Sequence, residues 1–416
     1  MGKAHISISQ LIFKKGPYRP SWIYKGKIQH FTDGTFTLQN VPFVLSFPLG
    51  KKKRPLASCD YEIECSLKKG KGNYVILKLL PQSEWKALTQ VSLSEWRFSM
   101  KQQVKDWIQS HFSSETTIHF LSGLMIGEFD DKNLRQDFER FGLLHLLAIS
   151  GFHFNILASL LTFLLRPFFR IKVVALLLLF LLSIYFIFLG WGPSIIRAWL
   201  TLVLYLGGYF HERFSSPINL LGVAVCLSLI IDPFLIENLG YQFSVLSTGA
   251  ILIGLNPFLE FLHWIFPKRT LNEVLIWPKS DQFFFLLLGF IKHGMAMTLV
   301  TTCIALPLGL YYFEKFPLLS LFYNIFFPFL VSISMTLLLL GCLCFSIPPL
   351  ASLIHALNDY FTSFILNMTY DIPRSGNFFI TSSKPSLLYI ITFIIAFFVL
   401  GIYLQKYKKQ LKYKSY

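Results

Sequence analysis

The sequence predicts an α-helical polytopic membrane protein, with about nine transmembrane segments, preceded by a small β-barrel domain. Composition is the first ground: 54% hydrophobic and 17% aromatic residues over 416 positions exceed what a soluble globular chain carries. The second is where that hydrophobicity sits, since long apolar runs begin only near residue 143. The third is the pattern upstream, where short alternating segments are separated by turn residues. The formal charge of +16 is shared, with 21 Lys and Arg against 13 Asp and Glu in residues 1–142 and 17 against 9 thereafter. Both parts are therefore basic, which suits polyanions or anionic lipid headgroups. Cytoplasmic loops of any membrane protein also collect Lys and Arg, so charge alone does not choose between them.

Residues 1–23 form an N-terminal segment, and Met1 to Phe13 lacks the apolar core and cleavage site of a signal peptide. Five strands are expected next, at Tyr24 to Phe31, Thr35 to Gln39, Val41 to Phe47, Cys59 to Leu67 and Asn73 to Leu80, with Asp33-Gly34 as a hairpin signal. Five short strands in about 60 residues point to an OB-like barrel over residues 24–85. Lys51, Lys52, Lys53 and Arg54 form one basic cluster and Lys68, Lys69 and Lys71 another. These are candidate contacts for a nucleic-acid backbone, with Phe36, Phe43, Tyr61 or Tyr74 available to stack bases; solvated turns and a filled barrel are the alternative. Cys59 and Cys65 fall on one strand about 20 Å apart, beyond the roughly 7 Å a disulfide allows.

Residues 86–140 read as a helical linker. Trp96, Met100, Val104, Trp107 and His111 recur at helical spacing, an apolar stripe that either lies on a bilayer or packs against the membrane domain. A second helix is expected over Thr117 to Ile126 and a charged segment over Asp130 to Arg140.

The membrane domain spans residues 141–405, followed by a basic tail over 406–416. Its apolar segments are Leu143 to Leu165, Val173 to Leu189, Ile195 to Phe210, Ile218 to Ile231, Tyr241 to Leu255, Phe283 to Leu310, Leu318 to Phe345, Leu350 to Met368 and Leu387 to Leu404. Basic residues follow the first, third, fifth and ninth segments: Arg166, Arg170 and Lys172, then Arg213, then Lys268, Arg269 and Lys279, then Lys406, Lys408, Lys409, Lys412 and Lys414. All fall on one side, which positive-inside bias makes cytoplasmic, leaving the barrel outside.

Polar residues inside apolar segments mark candidate function. In the first segment, FGLLHLLAISGFH over Phe141 to His153 carries His145, Ser150, Gly151 and His153, and Ser150-Gly151 is a place where a helix can unwind. An unbroken helix whose polar groups bond to neighbouring helices is the alternative. In the third, Gly192-Pro193-Ser194-Ile195-Ile196-Arg197-Ala198 puts Ser194 and Arg197 on one face at a helix start. Asp232-Pro233 precedes Gly240-Tyr241-Gln242-Phe243-Ser244, and Tyr312-Phe313-Glu314-Lys315-Phe316-Pro317 precedes Tyr323-Asn324.

These motifs resemble, in order, those of the ComEC family, the inner-membrane DNA channel of naturally transformable bacteria. Its hallmark, roughly G-L-x-H-L-L-A-I-S-G-L-H, is matched except at Phe152. The family's P-S-x-x-R-A and G-F-Q-L-S-F motifs have counterparts at Pro193 to Ala198 and Gly240 to Val245, while Tyr312 stands where the family has histidine. The resemblance implies import of single-stranded DNA past His145, Ser150, Gly151, His153, Ser194, Arg197, Gln242, Ser244 and Asn324, with no catalysis, cofactor or metal. The partners implied are single-stranded DNA, membrane lipid, an extracytoplasmic DNA receptor, a separate nuclease, and a cytoplasmic motor or DNA-binding protein. A metallo-β-lactamase-like nuclease motif, H-x-H-x-D-H, and a Walker A sequence are both missing from the sequence. Two other classes stay open: a transporter of another anionic cargo, and a membrane enzyme doing acid-base work with His145, His153, Glu314 and Asp232.

Overall fold

A computed structural model describes residues 2–14, 20–33, 37–49, 54–70, 74–80, 84–129, 131–210, 216–266, 269, 271–370 and 378–414. The chain forms two compact units, Met1–His111 with Phe180–Gly192, and Phe112–Leu179 with Pro193–Tyr416.

The first unit is built on strands β1 (Gly2–Lys14), β2 (Ser21–Thr32), β3 (Thr37–Leu38), β4 (Val41–Pro48), β5 (Cys59–Lys69), β6 (Val75–Leu79) and β7 (Lys86–Val91). β1 pairs antiparallel with β2 along its length and with β5 through its first residues, Gly2 opposite Cys65 to Ile6 opposite Tyr61. β4 runs parallel to β6, and β6 antiparallel to β5. The ring β1-β2-β4-β6-β5 therefore closes on itself as a five-stranded OB-like barrel, which removes its open edges. Ala4, Ile6 and Ile8 point inward at period two; a register shift at Ser9 then moves the inward position to Leu11.

The expected count of five strands holds, but their identity changes. Of the expected strand Thr35 to Gln39, Thr37–Leu38 form β3, off the ring, and the segment ahead of Tyr24 supplies β1. Gly34 of the expected hairpin and Phe36 lie outside the described residues. Phe43 and Tyr61 are buried in the barrel and unavailable to stack bases. Cys59 and Cys65 sit on the single strand β5, and all six cysteines are free thiols.

Helix α1 (Ser94–His111) packs on β1. Its Glu95 carboxylate accepts hydrogen bonds from Arg54 Nη1 and from the Ala57 N–H, each at 2.9 Å, and Arg54 lies 4.3 Å over the Trp22 ring. Tyr24 and Tyr61 donate to the carbonyls of Pro55 and Leu56, so the 54–57 segment is tied to barrel and helix alike.

The remaining helices are α2 (Glu115–Ile126), α3 (Lys132–Arg140), α4 (Leu144–Leu147), α5 (Gly151–Leu165), α6 (Ile171–Leu189), α7 (Pro193–Phe210), α8 (Pro217–Ile231), α9 (Leu239–Ile265), α10 (Leu271–Leu275), α11 (Lys279–Phe313), α12 (Ser320–Leu343), α13 (Pro348–Tyr370) and α14 (Leu387–Lys414). A small pair, β8 (Lys315–Pro317) with β9 (Phe379–Thr381), lies among them. Each apolar segment expected from the sequence carries a helix. Among the described residues five helices are long and apolar enough to cross a membrane, α6, α9, α11, α12 and α14, while α5 and α8 are shorter apolar helices.

Two devices hold the helices of the second unit in register. Pro257 lies inside α9 and has no N–H for the carbonyl one turn before it. Gln405 of α14 supplies the donor, its Nε2 lying 2.8 Å from Ile253 O and 3.2 Å from Leu252 O. Between α12 and α13, Ser334, Thr362 and Asn358 form a fully buried hydrogen-bonded run, with Ser334 Oγ 2.7 Å from Thr362 Oγ1 and Thr362 Oγ1 3.1 Å from Asn358 Oδ1.

Candidate functional site

The first apolar segment is broken, not continuous. α4 ends at Leu147, Ala148 to Ser150 are extended, and α5 begins at Gly151 with Ser150 as its cap. Serine suits that position because its hydroxyl satisfies an N–H that the helix leaves free. Ser150 Oγ accepts from the Phe152 N–H at 3.3 Å, and the Ser150 N–H donates to His153 Nδ1 at 3.3 Å. That second bond requires Nδ1 to be unprotonated, so the imidazole carries its proton on Nε2. Nε2 is buried and has no hydrogen-bond partner among the described residues.

Unwinding also frees carbonyls. The Ile149 carbonyl is met by Ser194 Oγ at 2.7 Å, from the first turn of α7. Proline at position 193 starts α7 without wasting an N–H, so Ser194 and Arg197 share a face one turn apart. Arg197 is 5% exposed. Its Nε donates to Ser244 Oγ of α9 at 2.9 Å. Gly151 has no side chain between α5 and α7: a methyl there would stand 3.8 Å from Arg197 Nη2 and from Ala198 Cβ. The guanidinium thus runs beside the first turn of α5.

The electrostatics follow. A helix N-terminus carries about half a positive charge, and Arg197 adds a full one beside it. Among the described residues Arg197 makes no ion pair with a carboxylate. Buried charge without a partner is costly, so the arrangement favours an anion. Ser150, Gly151, His153, Ser194, Arg197 and Ser244 are brought together around one break.

The other residues named from the sequence lie apart from that contact chain. Gln242 is two residues before Ser244 but bonds to Tyr312 Oη at 2.8 Å and to Ile236 O at 2.8 Å. Asn324 sits on α12, where its Oδ1 is buried without a hydrogen-bond partner among the described residues. His145 is exposed, with Nδ1 3.1 Å from Gly142 O. Asp232 caps the turn after α8 by accepting the Phe234 N–H. On the barrel, Lys68 and Lys69 are exposed, Arg54 is engaged by Glu95, and Lys51, Lys52, Lys53 and Lys71 lie outside the described residues. No group of three His, Cys, Asp or Glu among the described residues is placed to hold a metal ion. The Ile149 carbonyl is one partner that residue types could not have named, because any residue supplies a carbonyl.

The stretch that contains the break, the Ser194–Arg197 turn and Ser244 also matches a family model, that of the Competence protein, over residues 127–407. The chain belongs to the Competence protein family. It is a membrane protein of that family. It is 27% identical over 189 residues to ComE operon protein 3 of Bacillus subtilis, covering 44% of this chain and 20% of that protein. It is 23% identical over 224 residues to an uncharacterized protein, the MG316 homolog of Mycoplasma pneumoniae, covering 53% of this chain and 50% of that one. The matched stretches thus span a fifth to a half of these relatives' own lengths. No solved structure matches the chain. The competence region as matched excludes the barrel, whose topology comes from the strand pairing alone.

Proposed function

We propose that the protein passes one strand of DNA across the bacterial cell membrane into the cytoplasm during natural transformation. The observation that carries this is Arg197, a buried guanidinium with no acidic partner among the described residues, beside the N-terminus of a helix broken inside an apolar segment. A phosphodiester is the anion that a competence protein would present there repeatedly, and it neutralises both positive charges as it passes. Ser150, His153, Ser194 and Ser244 position those donors, and Gln242 and Asn324 line the route further on.

The orientation follows from charge. Arg166 and Arg170 stand between α5 and α6 and Lys172 is in the first turn of α6, which supports a cytoplasmic position for that loop. The opposite end of α6 then faces outside, and Arg97 of the barrel unit bonds there, to Ile187 O at 2.8 Å and to Ser9 O of β1 at 3.3 Å. This supports an extracytoplasmic barrel that presents the strand. Lys68 and Lys69 are among its exposed cations, and as consecutive strand residues they point to opposite faces. An external DNA receptor, a nuclease and a cytoplasmic motor or DNA-binding protein complete the path.

The test is entry of end-labelled DNA into nuclease-protected cytoplasm, comparing wild type, Arg197→Ala and Arg197→Lys at matched membrane levels. A charged hydrogen bond contributes about 1.5–3 kcal/mol, so Arg197→Ala should lower entry roughly 10- to 100-fold, with Lys intermediate. Surface-bound DNA should be unchanged. Wild-type entry in Arg197→Ala would remove the assignment.

A further inference from the structure

A cavity of about 450 Å³ lies where α9 ends and α11 begins. Among the described residues the rings of Phe266, Trp277, Phe284 and Phe285 wall it, and Arg269 and Asp281 share the lining. Its size falls within the roughly 300–1,000 Å³ of small-molecule sites. The walls are held by the chain itself: Gln282 Nε2 donates to Trp277 O at 2.9 Å and to Leu275 O at 3.3 Å, tying the start of α11 to the segment before it. The Trp277 ring stands edge-on to Phe285, centroids 5.9 Å apart. Aromatic walls with two opposite charges suit an amphiphile.

Both charged side chains are exposed. Glu273 stands 3.9 Å from Arg269, a long contact between half-exposed groups, so the guanidinium keeps donors for a second anion. Ser280 Oγ donates to Asp281 Oδ1 at 3.2 Å, and a carboxylate has acceptor sites beyond that one bond. The length of α11 sets the level of the cavity. From Phe283 to its end at Phe313 the helix runs about 45 Å, the thickness of a bilayer with both headgroup layers. Glu314 and Lys315 follow at one surface, so Asp281 and Phe284 lie in the headgroup layer of the other. Lys292 agrees: about 32 Å from Phe313, it sits just past the roughly 30 Å hydrocarbon core, its Nζ 3.3 Å from His263 Nδ1 of α9. From the cavity Phe284, Leu288 and Ile291, all exposed, continue along one face of α11 toward that core.

We propose that this cavity binds the headgroup of one phosphatidylethanolamine molecule, with its phosphate on Arg269, its ammonium on Asp281 and an acyl chain along Phe284, Leu288 and Ile291. A zwitterionic headgroup matches the opposite charges of the lining. Phosphatidylglycerol brings a phosphate but no cation for Asp281, and the quaternary ammonium of phosphatidylcholine has no N–H to donate. The proposal depends on membrane residence and is independent of the DNA reading.

The experiment reconstitutes the full chain into lipid nanodiscs containing, at equal mole fraction, a phosphatidylethanolamine, phosphatidylglycerol or phosphatidylcholine with a photoactivatable acyl chain. Label is counted on residues 264–292 and on α14, a long apolar helix with an exposed face that serves as the reference for bulk lipid. The ethanolamine lipid should label residues 264–292 about three- to fivefold more than either other lipid, with α14 labelled equally by all three. Arg269→Gln and Asp281→Asn should each abolish the preference while α14 labelling stays at the wild-type level. Equal labelling of residues 264–292 by the three lipids would reduce the site to ordinary boundary lipid. A preference for phosphatidylglycerol or phosphatidylcholine, or one that survives both substitutions, would remove the charge assignment. Each of these results overturns the proposal. Two variants keep the test decisive if one fails to fold.

Discussion

Replacing Glu95 by glutamine isolates the charge that joins α1 to the barrel. The carboxylate receives two bonds from Arg54 and one from the Ala57 N–H, and the two side chains are 19% and 24% exposed. Each bond to an ionised acceptor exceeds its neutral counterpart by about 1 kcal/mol, and the partial exposure discounts the sum of three to about 2 kcal/mol. That corresponds to a roughly 30-fold larger population of opened barrel. The assay is limited proteolysis of the detergent-solubilised full chain across a denaturant series, scoring cleavage in residues 1–111. A midpoint within experimental error of wild type at pH 7 would refute the energetic account of the pair.

The pH dependence of the same pair has a definite sign. Burial alone would raise the Glu95 carboxyl, but the Arg54 hydrogen bond, the Ala57 N–H and the Arg54 charge together hold it below its usual value. A carboxyl depressed by folding contributes stability above its unfolded pKa, about 4.3, and loses it as pH falls through the folded value. The gap between wild type and Glu95→Gln should be full at pH 7 and close only below about pH 4.

Two other substitutions test the second unit. Ser194→Ala leaves the Ile149 carbonyl without its donor, at a cost of about 1–3 kcal/mol, and should lower DNA entry while membrane levels stay within twofold or so of wild type; unchanged entry would show that the break needs no such support. Gln405→Leu removes the donor that Pro257 makes necessary and should lower the thermal midpoint of the solubilised protein by an amount equivalent to about 1–2 kcal/mol, and a midpoint at or above that of wild type would mean that water or another group satisfies Ile253.

Hydropathy alone located nine apolar segments that carry helices among the described residues, because burial in lipid or in a protein core selects for the same run of apolar side chains. The break in the first segment was legible as one of two alternatives, since Ser150-Gly151 combines a good cap with a residue that resists helix, but the choice against an unbroken helix came from the structure. Ser194 and Arg197 were legible as one face of a helix start. Strand β1 was not: its partners on β5 lie some sixty residues away, no turn residues announce the pairing, and Ala4, Ile6 and Ile8 have meaning only once the ring closes. The availability of Arg54 was equally hidden, because a basic cluster does not reveal that a glutamate 41 residues later claims one member.

Local chemistry, which is periodicity, caps and turn residues, is written in neighbouring letters, and the sequence determined it: apolar helices, a basic barrel, a serine-capped break, an arginine at the start of α7. Tertiary structure decided what α1 packs on, which buried cation lacks a carboxylate partner among the described residues and which carbonyl Ser194 meets. Those depend on groups distant in the chain, whose approach is set by the closure of the barrel and the packing of helices rather than by any local preference.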